Sequence, residues 1–245
     1  MPRKRNLYDP LSTEPFRLSR TKLENYLKCP RCFYLDRRLG VGQPPGFPFN
    51  INSAVDELLK REFDRFRVAQ VAHPYMVDAG VDAIPAIHPE LDNWRKNFVG
   101  VSYVHACSNF EFFGAIDDLW LGSDGDYIVV DYKATSKKGE VSLDAGWQIT
   151  YKRQMEIYQW LLRKNGLPVS NRGWFVYCNG KRDIDGFNNK VEFTVSLLPY
   201  DGNDEWIDDA LVSARNTLVT DELPRAGRFC DYCAYRHEVS AFESQ

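Results

Sequence analysis

Residues 111–133 have the sequence EFFGAIDDLWLGSDGDYIVVDYK, and this stretch decides the fold. Runs of β-branched and aromatic residues predict one strand over residues 111–121 and a second over residues 127–133. The SDGD sequence at residues 123–126 is typical of a hairpin turn, so the two strands are expected to pair. The apolar IVV run indicates that the second strand is buried in a sheet.

Two carboxylates and a lysine lie on this predicted hairpin. Strand pairing places Asp117 and Asp131 near one point, and the alternation of a strand puts Lys133 on the same face as Asp131, with Tyr132 on the other. Two carboxylates suit a hard divalent cation such as magnesium or manganese, which can neutralise a phosphate and activate water. Lys133 can then orient or deprotonate that water, or stabilise developing charge. The alternative is a simple Asp–Lys ion pair at a strand end.

A long helix predicted over residues 147–164 adds two polar side chains. Gln154 and Tyr158 are four residues apart and therefore lie on one helical face, following Trp147 and Tyr151 on a similar stripe. Aromatic residues at this spacing most often pack in a core. A glutamine within the stripe is harder to explain by packing alone, so the pair strengthens the indication of a site.

The order of the predicted elements indicates one mixed α/β domain. Two short helices follow Ser19 and Pro30, and a third begins near residues 52–53. This third helix is expected to bury Val55, Leu58, Leu59, Phe63 and Phe66. Further strands are predicted over residues 101–107, 174–178 and 191–197, and a last helix over residues 204–219. We expect an irregular basic arm over residues 1–17 and a single domain over residues 18–245.

Four of the six cysteines form two spaced pairs, Cys29 with Cys32 and Cys230 with Cys233. Four thiolates are the number needed for a tetrahedral zinc ion or an iron–sulfur cluster. If the pairs share one metal centre, that centre ties the two ends of the chain together. Two unrelated reduced pairs, or one redox pair, are the alternatives. The remaining cysteines are expected to be small buried side chains: Cys107 and Cys178.

Charge is unevenly distributed along the chain. The net charge of the 245 residues is −3, but residues 1–40 carry ten Lys and Arg against four Asp and Glu, whereas residues 202–245 carry four against nine. A wholly basic nucleic-acid binder is therefore not indicated. The basic first part can contact phosphate, with a solvated surface as the alternative. The residues expected to do so are Arg17, Arg20, Lys22, Lys28, Arg31, Arg37 and Arg38. The aromatic side chains among them are expected to pack around the metal centre rather than stack on bases: Tyr26, Phe33 and Tyr34.

Composition also bears on location. The 44% hydrophobic and 27% charged content is that of an ordinary globular protein, which excludes wholesale disorder. No apolar run approaches the roughly 18 residues of a membrane span, and no hydrophobic segment follows the basic start as in a secretory signal. We therefore expect a cytoplasmic protein with no membrane partner.

Taken together, the motifs resemble those of a known nuclease family. The RecB-like branch of the PD-(D/E)XK nucleases carries motifs similar to Gly114-x-x-Asp117, Asp131-x-Lys133 and Gln154-x-x-x-Tyr158. Residues 18–30 resemble the N-terminal element of that branch, and Cys230-x-x-Cys233 resembles its C-terminal cluster motif. The sequence is similar in particular to the small CRISPR-associated exonucleases that bind an iron–sulfur cluster.

This resemblance implies a restriction-endonuclease-like mixed β-sheet flanked by helices, with the chain ends joined by the four-cysteine centre. It implies a site built from Asp117, Asp131, Lys133, Gln154 and Tyr158, the last two supporting it or gripping DNA. It implies metal ligation by the two aspartates and the main-chain carbonyl of Tyr132. The implied reaction is hydrolysis of DNA, often from single-stranded ends, in CRISPR adaptation, recombination and repair, or phage DNA processing. The implied partners are DNA and further proteins of a nucleoprotein complex.

The sequence departs from the family pattern in two places. A histidine metal ligand is usual in an early helix, but Asp56 stands at the matching position, where a carboxylate also suits magnesium. A solvated helix residue is the alternative for Asp56. Relatives usually place one cysteine early and three late, whereas no cysteine occurs near Val239 and Cys32 restores the count of four. A [4Fe–4S] cluster is expected, with a structural zinc ion as the alternative.

Two further functional hypotheses remain open. A catalytically inactive DNA-binding scaffold of the same fold is the alternative function, and Asp56 in place of histidine motivates it. A redox or metal-sensing protein built around the cysteine pairs is a third. The histidines offer no spaced metal pair and are expected to be structural or surface residues: His73, His88, His105 and His237.

Overall fold

The structure is a computed structural model of the chain and describes residues 6–44, 46 and 50–243. Its elements in chain order are β1 (Phe16–Ser19), α1 (Arg20–Lys28), α2 (Pro30–Arg37), α3 (Asn50–Ala69), α4 (Pro74–Asp78), β2 (Ala83–Pro85), α5 (Leu91–Trp94), β3 (Val101–His105), β4 (Phe110–Gly114), β5 (Asp118–Gly122), β6 (Tyr127–Thr135), a short 3₁₀ helix (Gly146–Gln148), α6 (Ile149–Lys164), β7 (Arg172–Gly180), β8 (Phe193–Asp201), α7 (Ile207–Val219) and α8 (Asp231–Glu243). They fall into two compact units. The first comprises Met1–Phe47, Ser102–Phe113 and Glu205–Gln245, and the second comprises Pro48–Val101 and Gly114–Asp204.

The second unit contains a five-stranded mixed sheet in the order β2-β5-β6-β7-β8. The central strand β6 pairs antiparallel with β5 and parallel with β7, while β2 and β8 are antiparallel neighbours at the two edges. Parallel neighbours need a crossover connection, and α6 provides it between β6 and β7. The predicted α/β fold, with a mixed sheet flanked by helices, is confirmed.

A hydrophobic core lies between this sheet and α3. Phe63 of α3 is fully buried, and its ring stacks on Trp120 with the ring centroids 5.6 Å apart. Full burial of such a phenylalanine contributes about 1.5–3 kcal/mol. Leu59 faces the same core, one turn before Phe63. Leu58 was predicted to be buried but is exposed, because the narrow apolar stripe of α3 excludes that position.

The hairpin predicted from the SDGD sequence is confirmed. β5 and β6 pair antiparallel, with Leu121 opposite Tyr127. Gly125 adopts a positive φ of 88°, and Asp124 Oδ1 accepts a hydrogen bond from the Asp126 N–H at 3.1 Å. This turn brings the beginning of β5 beside the middle of β6, with Asp118 opposite Val130, which is next to Asp131.

The single strand predicted over residues 111–121 is wrong. β4 ends at Gly114 in one sheet, and the next strand, β5, belongs to the other sheet. Ile116 lies between these strands and is buried. Its main-chain N–H donates to the carbonyl of Trp94 at 3.2 Å rather than to a neighbouring strand. Asp117 therefore lies in the connection just before β5 rather than within a strand.

The first unit contains a three-stranded sheet in the order β1-β4-β3 together with helices from both ends of the chain. β1 pairs parallel with β4, with Phe16 opposite Phe110. Phe16 and Arg17, assigned from the sequence to an irregular arm, therefore lie in a strand. Residues 6–15 contain no helix or strand, and residues 1–5 of the predicted arm lie outside the described residues. The single domain over residues 18–245 stays a prediction.

Within residues 6–44, 46 and 50–243, no helix combines the length and the apolar composition needed to cross a bilayer.

Candidate active site

Asp117, Asp131 and Lys133 lie together beside the central strand. The Asp117 carboxylate accepts a hydrogen bond from the main-chain N–H of Tyr132 at 2.9 Å. Asp131 is fully buried on β6, and Lys133 Nζ forms an ion pair with its Oδ2 atom. A buried carboxylate is costly unless it is paired, so the lysine offsets the charge of Asp131. The structure thus brings the three residues together, as hairpin pairing and strand alternation predict.

Gln154 on α6 reaches the same carboxylate. Its Nε2 atom donates to Asp131 Oδ1 at 2.7 Å, and its Oε1 atom accepts from Lys133 Nζ at 3.4 Å. Gln154 Nε2 also donates to the hydroxyl of Tyr158, which is buried one helical turn away, at 3.1 Å. The glutamine therefore orients both Asp131 and Lys133 and also contacts Tyr158.

Asp56 and Lys60, one turn apart on α3, lie beside Asp117. Lys60 Nζ is 2.8 Å from Asp56 Oδ2 and 3.6 Å from Asp117 Oδ1, so this ammonium bridges two carboxylates. Burial and the negative charge of Asp117 raise the pKa of Asp56, although Lys60 opposes the shift. The sequence analysis identified Asp56 but missed Lys60, for which the four-residue spacing from Asp56 was the available signal.

The oxygen atoms of this group suit a hard divalent cation. A cavity of about 80 Å³ lies beside them, lined by residues that include Asn52, Asp56, Tyr132, Lys133 and Tyr151. Carboxylate oxygens and retained waters are the ligands that magnesium and manganese prefer. The donor set therefore fits such an ion.

A buried charge network supports Asp117 from the other side. Asp118 is fully buried; its carboxylate accepts hydrogen bonds from Arg95 Nη2 at 2.8 Å and Tyr132 OH at 2.6 Å, and it pairs with Arg67. Arg95 Nε also donates to the main-chain carbonyl of Asp117 at 3.0 Å. Burial and the charge of Asp118 raise the pKa of Tyr132 well above its usual value, so the hydroxyl remains a donor. Arg95 therefore holds the main chain at Asp117.

This network was not predicted from the sequence. Asp118, Arg67 and Arg95 come from three separate elements, and no spacing in the sequence connects them. One signal was available: Asp118 opens an apolar strand, and an acidic side chain in such a place needs buried partners.

Cys29, Cys32, Cys230 and Cys233 form a second cluster, within the first unit. Their four sulfur atoms lie within 4.8 Å of one another. The first pair lies at the start of α2 and the second at the start of α8, so the cluster joins the N- and C-terminal regions. The predicted four-cysteine centre is therefore confirmed as an arrangement of ligands.

The pKa values of Cys29, in the cluster, and Cys178, outside it, are shifted in opposite directions. Burial disfavours the Cys29 thiolate, but N–H groups of Gly227, at 3.1 Å, and Cys32, at 3.4 Å, donate to its sulfur and lower its pKa to about 7. Burial raises the pKa of Cys178, outside the cluster, to about 11. Cys178 is buried as predicted, whereas Cys107 is exposed because the chain turns to the surface between β3 and β4.

Basic residues predicted to contact DNA are mostly paired within the first unit. The pairs are Arg17 with Glu111, Lys22 and Arg37 with Asp36, Lys28 with Glu24, and Arg38 with Asp221. Phe33 and Tyr34 are buried, and the rings of Tyr26 and Phe33 pack edge to face with centroids 5.4 Å apart. Packing thus accounts for these rings. These ion pairs do not test contact with DNA, which stays a prediction for the basic residues.

The histidines lie apart from the acidic group. His73 is buried and stacks on Phe63, His88 stacks on Trp94, and His105 contacts Ser108 at 2.8 Å. These contacts agree with the structural roles predicted for them.

A mixed sheet with Asp131 and Lys133 on its central strand, and with Asp117 in the adjoining connection, is the arrangement expected of the PD-(D/E)XK fold. A family model described as the PD-(D/E)XK nuclease superfamily matches residues 42–237, and the chain belongs to that superfamily. No curated protein matches the chain. The crystal structure titled "Crystal structure of SSO0001" is 17% identical, with 92% of this chain and 86% of that chain covered, and its TM-score of 0.34 is too low to support any conclusion. Members of the superfamily are typically metal-dependent nucleases acting on DNA.

Replacing Arg95 by Ala is expected to lower the affinity of the proposed active site for its divalent metal. The Asp117 carbonyl loses its donor, and loss of such a supporting contact typically costs 10–100-fold in metal affinity. The manganese concentration for half-maximal cleavage should therefore rise about 10-fold. Arg67→Ala is the matched control, because Arg67 shares the partners Asp118 and Asp64 with Arg95 but its described hydrogen bonds do not include one to the Asp117 carbonyl. The same half-maximal concentration in all three proteins would contradict the positioning role.

Proposed function

We propose that the chain is a divalent-metal-dependent deoxyribonuclease of the RecB-like branch, acting as an exonuclease on single-stranded ends. The observation that carries the proposal is the group Asp117, Asp131 and Lys133, held in place by Gln154. The proposed settings are CRISPR adaptation, recombination and repair, or phage DNA processing. A cytoplasmic location and protein partners in a nucleoprotein complex are part of the same proposal.

The proposed metal ligands are Asp56, Asp117, Asp131 and the main-chain carbonyl of Tyr132. When bound, magnesium or manganese would neutralise phosphate charge and lower the pKa of a water nucleophile. The chain's own groups then have separate tasks. Lys133 would place a positive charge where the phosphate gains negative charge. Gln154 fixes the positions of the Lys133 ammonium and the Asp131 carboxylate by a hydrogen bond to each.

A basic cleft in the second unit is the proposed path of the DNA backbone. It is a cavity of about 910 Å³ in which basic lining residues outnumber acidic ones: Lys137, Lys138, Lys181 and Arg182 against Glu140 and Asp183. Lys137 and Lys138 follow β6 closely, so they lie only a few residues beyond the catalytic lysine. The side chain of Asn179 accepts a hydrogen bond from the Lys137 N–H at 2.9 Å and donates to its carbonyl at 3.2 Å. These two hydrogen bonds hold the main chain of Lys137 against β7.

A double Lys137→Ala, Lys138→Ala variant is expected to bind single-stranded DNA more weakly. Each lost phosphate contact should reduce the slope of log affinity against log salt by about 0.7. Fluorescence anisotropy at several salt concentrations measures this slope. Lys96→Ala is the control, because Lys96 is an exposed lysine that donates to Asn93 outside the cleft. An unchanged salt slope in the double variant would remove the cleft from the DNA path.

Cleavage of linear and circular single-stranded DNA of the same sequence tests the proposed exonuclease action. We expect the linear strand to be degraded with magnesium or manganese and the covalently closed circle to survive. Equal degradation of the circle would replace the exonuclease by an endonuclease. Absence of cleavage on both substrates would contradict the nuclease itself.

A catalytically inactive DNA-binding scaffold is the second candidate function. The contacts of Lys60 with Asp56 and Asp117 favour it, because an ammonium there already compensates part of the negative charge that a metal would balance. Under this alternative the fold binds DNA, but manganese binding that depends on the aspartates is absent.

A further inference from the structure

The four cysteine sulfur atoms are close enough to share a single ion. Cys32 Sγ lies 3.6 Å from the sulfur atoms of both Cys230 and Cys233, and Cys29 Sγ lies 3.7 Å from that of Cys233. Four thiolates bound to one zinc at about 2.3 Å stand about 3.8 Å apart at the tetrahedral angle. These three separations are close to the edge length of one such tetrahedron, and no two of the four sulfur atoms are more than 4.8 Å apart.

An iron–sulfur cluster does not fit this spacing. In a [4Fe–4S] cluster each cysteine binds a different iron, so the cysteine sulfurs are separated by the width of the cluster. In a [2Fe–2S] cluster two cysteines share each iron, and the two pairs stand apart. Here the close contacts run between the two C-x-x-C pairs, from Cys29 and Cys32 to Cys230 and Cys233.

We infer that the cluster holds one structural zinc ion in place of the iron–sulfur cluster that the family resemblance implies. Closed sites of four cysteines, arranged as two C-x-x-C pairs, commonly bind zinc. All four ligands come from the protein, which leaves no position for a substrate. The inference does not rest on the proposed function. The four cysteines belong to the first unit and the acidic group belongs to the second, so an experiment can disprove the zinc ion or the nuclease activity separately.

The surroundings of the sulfur atoms agree with a compact thiolate site. Cys29 Sγ accepts hydrogen bonds from the main-chain N–H groups of Cys32 and Gly227, at 3.4 and 3.1 Å. Such bonds orient and stabilise ligands around a metal. A Cβ atom on Gly227 would collide with the carbonyl of Lys28, so only glycine allows this close approach. Both pairs also open helices, where the positive end of the helix dipole favours thiolates.

Metal and sulfide analysis of the full chain, purified without oxygen from cells supplied with iron and zinc, tests the inference. We expect about one zinc per chain, no acid-labile sulfide and no visible absorption. Cys233→Ser should lose the zinc, whereas Cys107→Ser, which alters an exposed cysteine outside the cluster, should keep it. In a second arm, metal-free protein is offered ferrous and ferric iron with sulfide, or zinc alone. We expect stoichiometric zinc binding and no cluster absorption.

Three results would overturn the inference. One is iron and sulfide in cluster stoichiometry, with a visible absorption band that Cys233→Ser removes. Another is iron without sulfide in place of zinc. The third is a zinc content that Cys233→Ser does not change, since the ion would then be bound elsewhere.

Discussion

Replacing Asp131 by Asn is expected to reduce DNA cleavage by about a thousandfold while the protein stays folded. Asn has nearly the volume of Asp, so the fully buried position remains filled. The negative charge that would bind a divalent cation and that pairs with Lys133 is lost, however. Initial cleavage rates on end-labelled single-stranded DNA, with magnesium or manganese in excess, measure the effect.

Lys133→Met is expected to cause a loss of similar size, because the ammonium that would stabilise the reacting phosphate disappears. Asp201→Asn is the matched control for Asp131→Asn. Asp201 is also an aspartate in a salt bridge on a strand of the second unit, but it is exposed and pairs with Arg172 at 2.8 Å. Cleavage by Asp131→Asn at the wild-type rate would remove Asp131 from the active site.

Cys233→Ser is expected to release the C-terminal helix from the first unit. No side chain of α8, which the structure describes in full, is buried, so hydrophobic packing contributes little to its attachment. The free energy of metal binding then stabilises this end of the chain. Loss of about 4 kcal/mol of that free energy would lower the Tm by roughly 10 °C in a chain of this size.

Calorimetry and limited proteolysis measure this loss. We expect the Cys233→Ser variant, and wild type treated with a strong chelator, to be cleaved rapidly between residues 220 and 243. Cys107→Ser should behave as wild type, because Cys107 is exposed and outside the cluster. Unchanged thermal stability and protease resistance in both Cys233→Ser and the chelated protein would show that the cysteine centre does not hold α8.

Local patterns in the sequence were sufficient for the central hairpin and much of the site. The SDGD turn determines the pairing of β5 with β6, and strand alternation determines that Asp131 and Lys133 share a face. Helical spacing likewise predicts the shared face of Gln154 and Tyr158. These features depend on residues close in the chain, so periodicity alone reveals them.

Features that depend on distant residues were not predictable in the same way. The division of residues 111–121 between two sheets follows from the contact of Ile116 with Trp94, which no local pattern reveals. The support of Asp117 by Arg95 joins residues 22 positions apart. The exposure of Cys107 follows from the path of the chain between β3 and β4, although cysteine is usually buried.

Calorimetric titration with manganese tests the proposed metal site most directly. We expect the wild-type protein to bind manganese at the acidic group, Asp117→Asn and Asp131→Asn to lose that binding, and Asp56→Asn to weaken it. The cysteine centre is saturated with its own metal beforehand, so that it does not contribute heat. Equal manganese binding by wild type and both the Asp117→Asn and Asp131→Asn variants, or no binding by any of them, would contradict a metal-dependent active site.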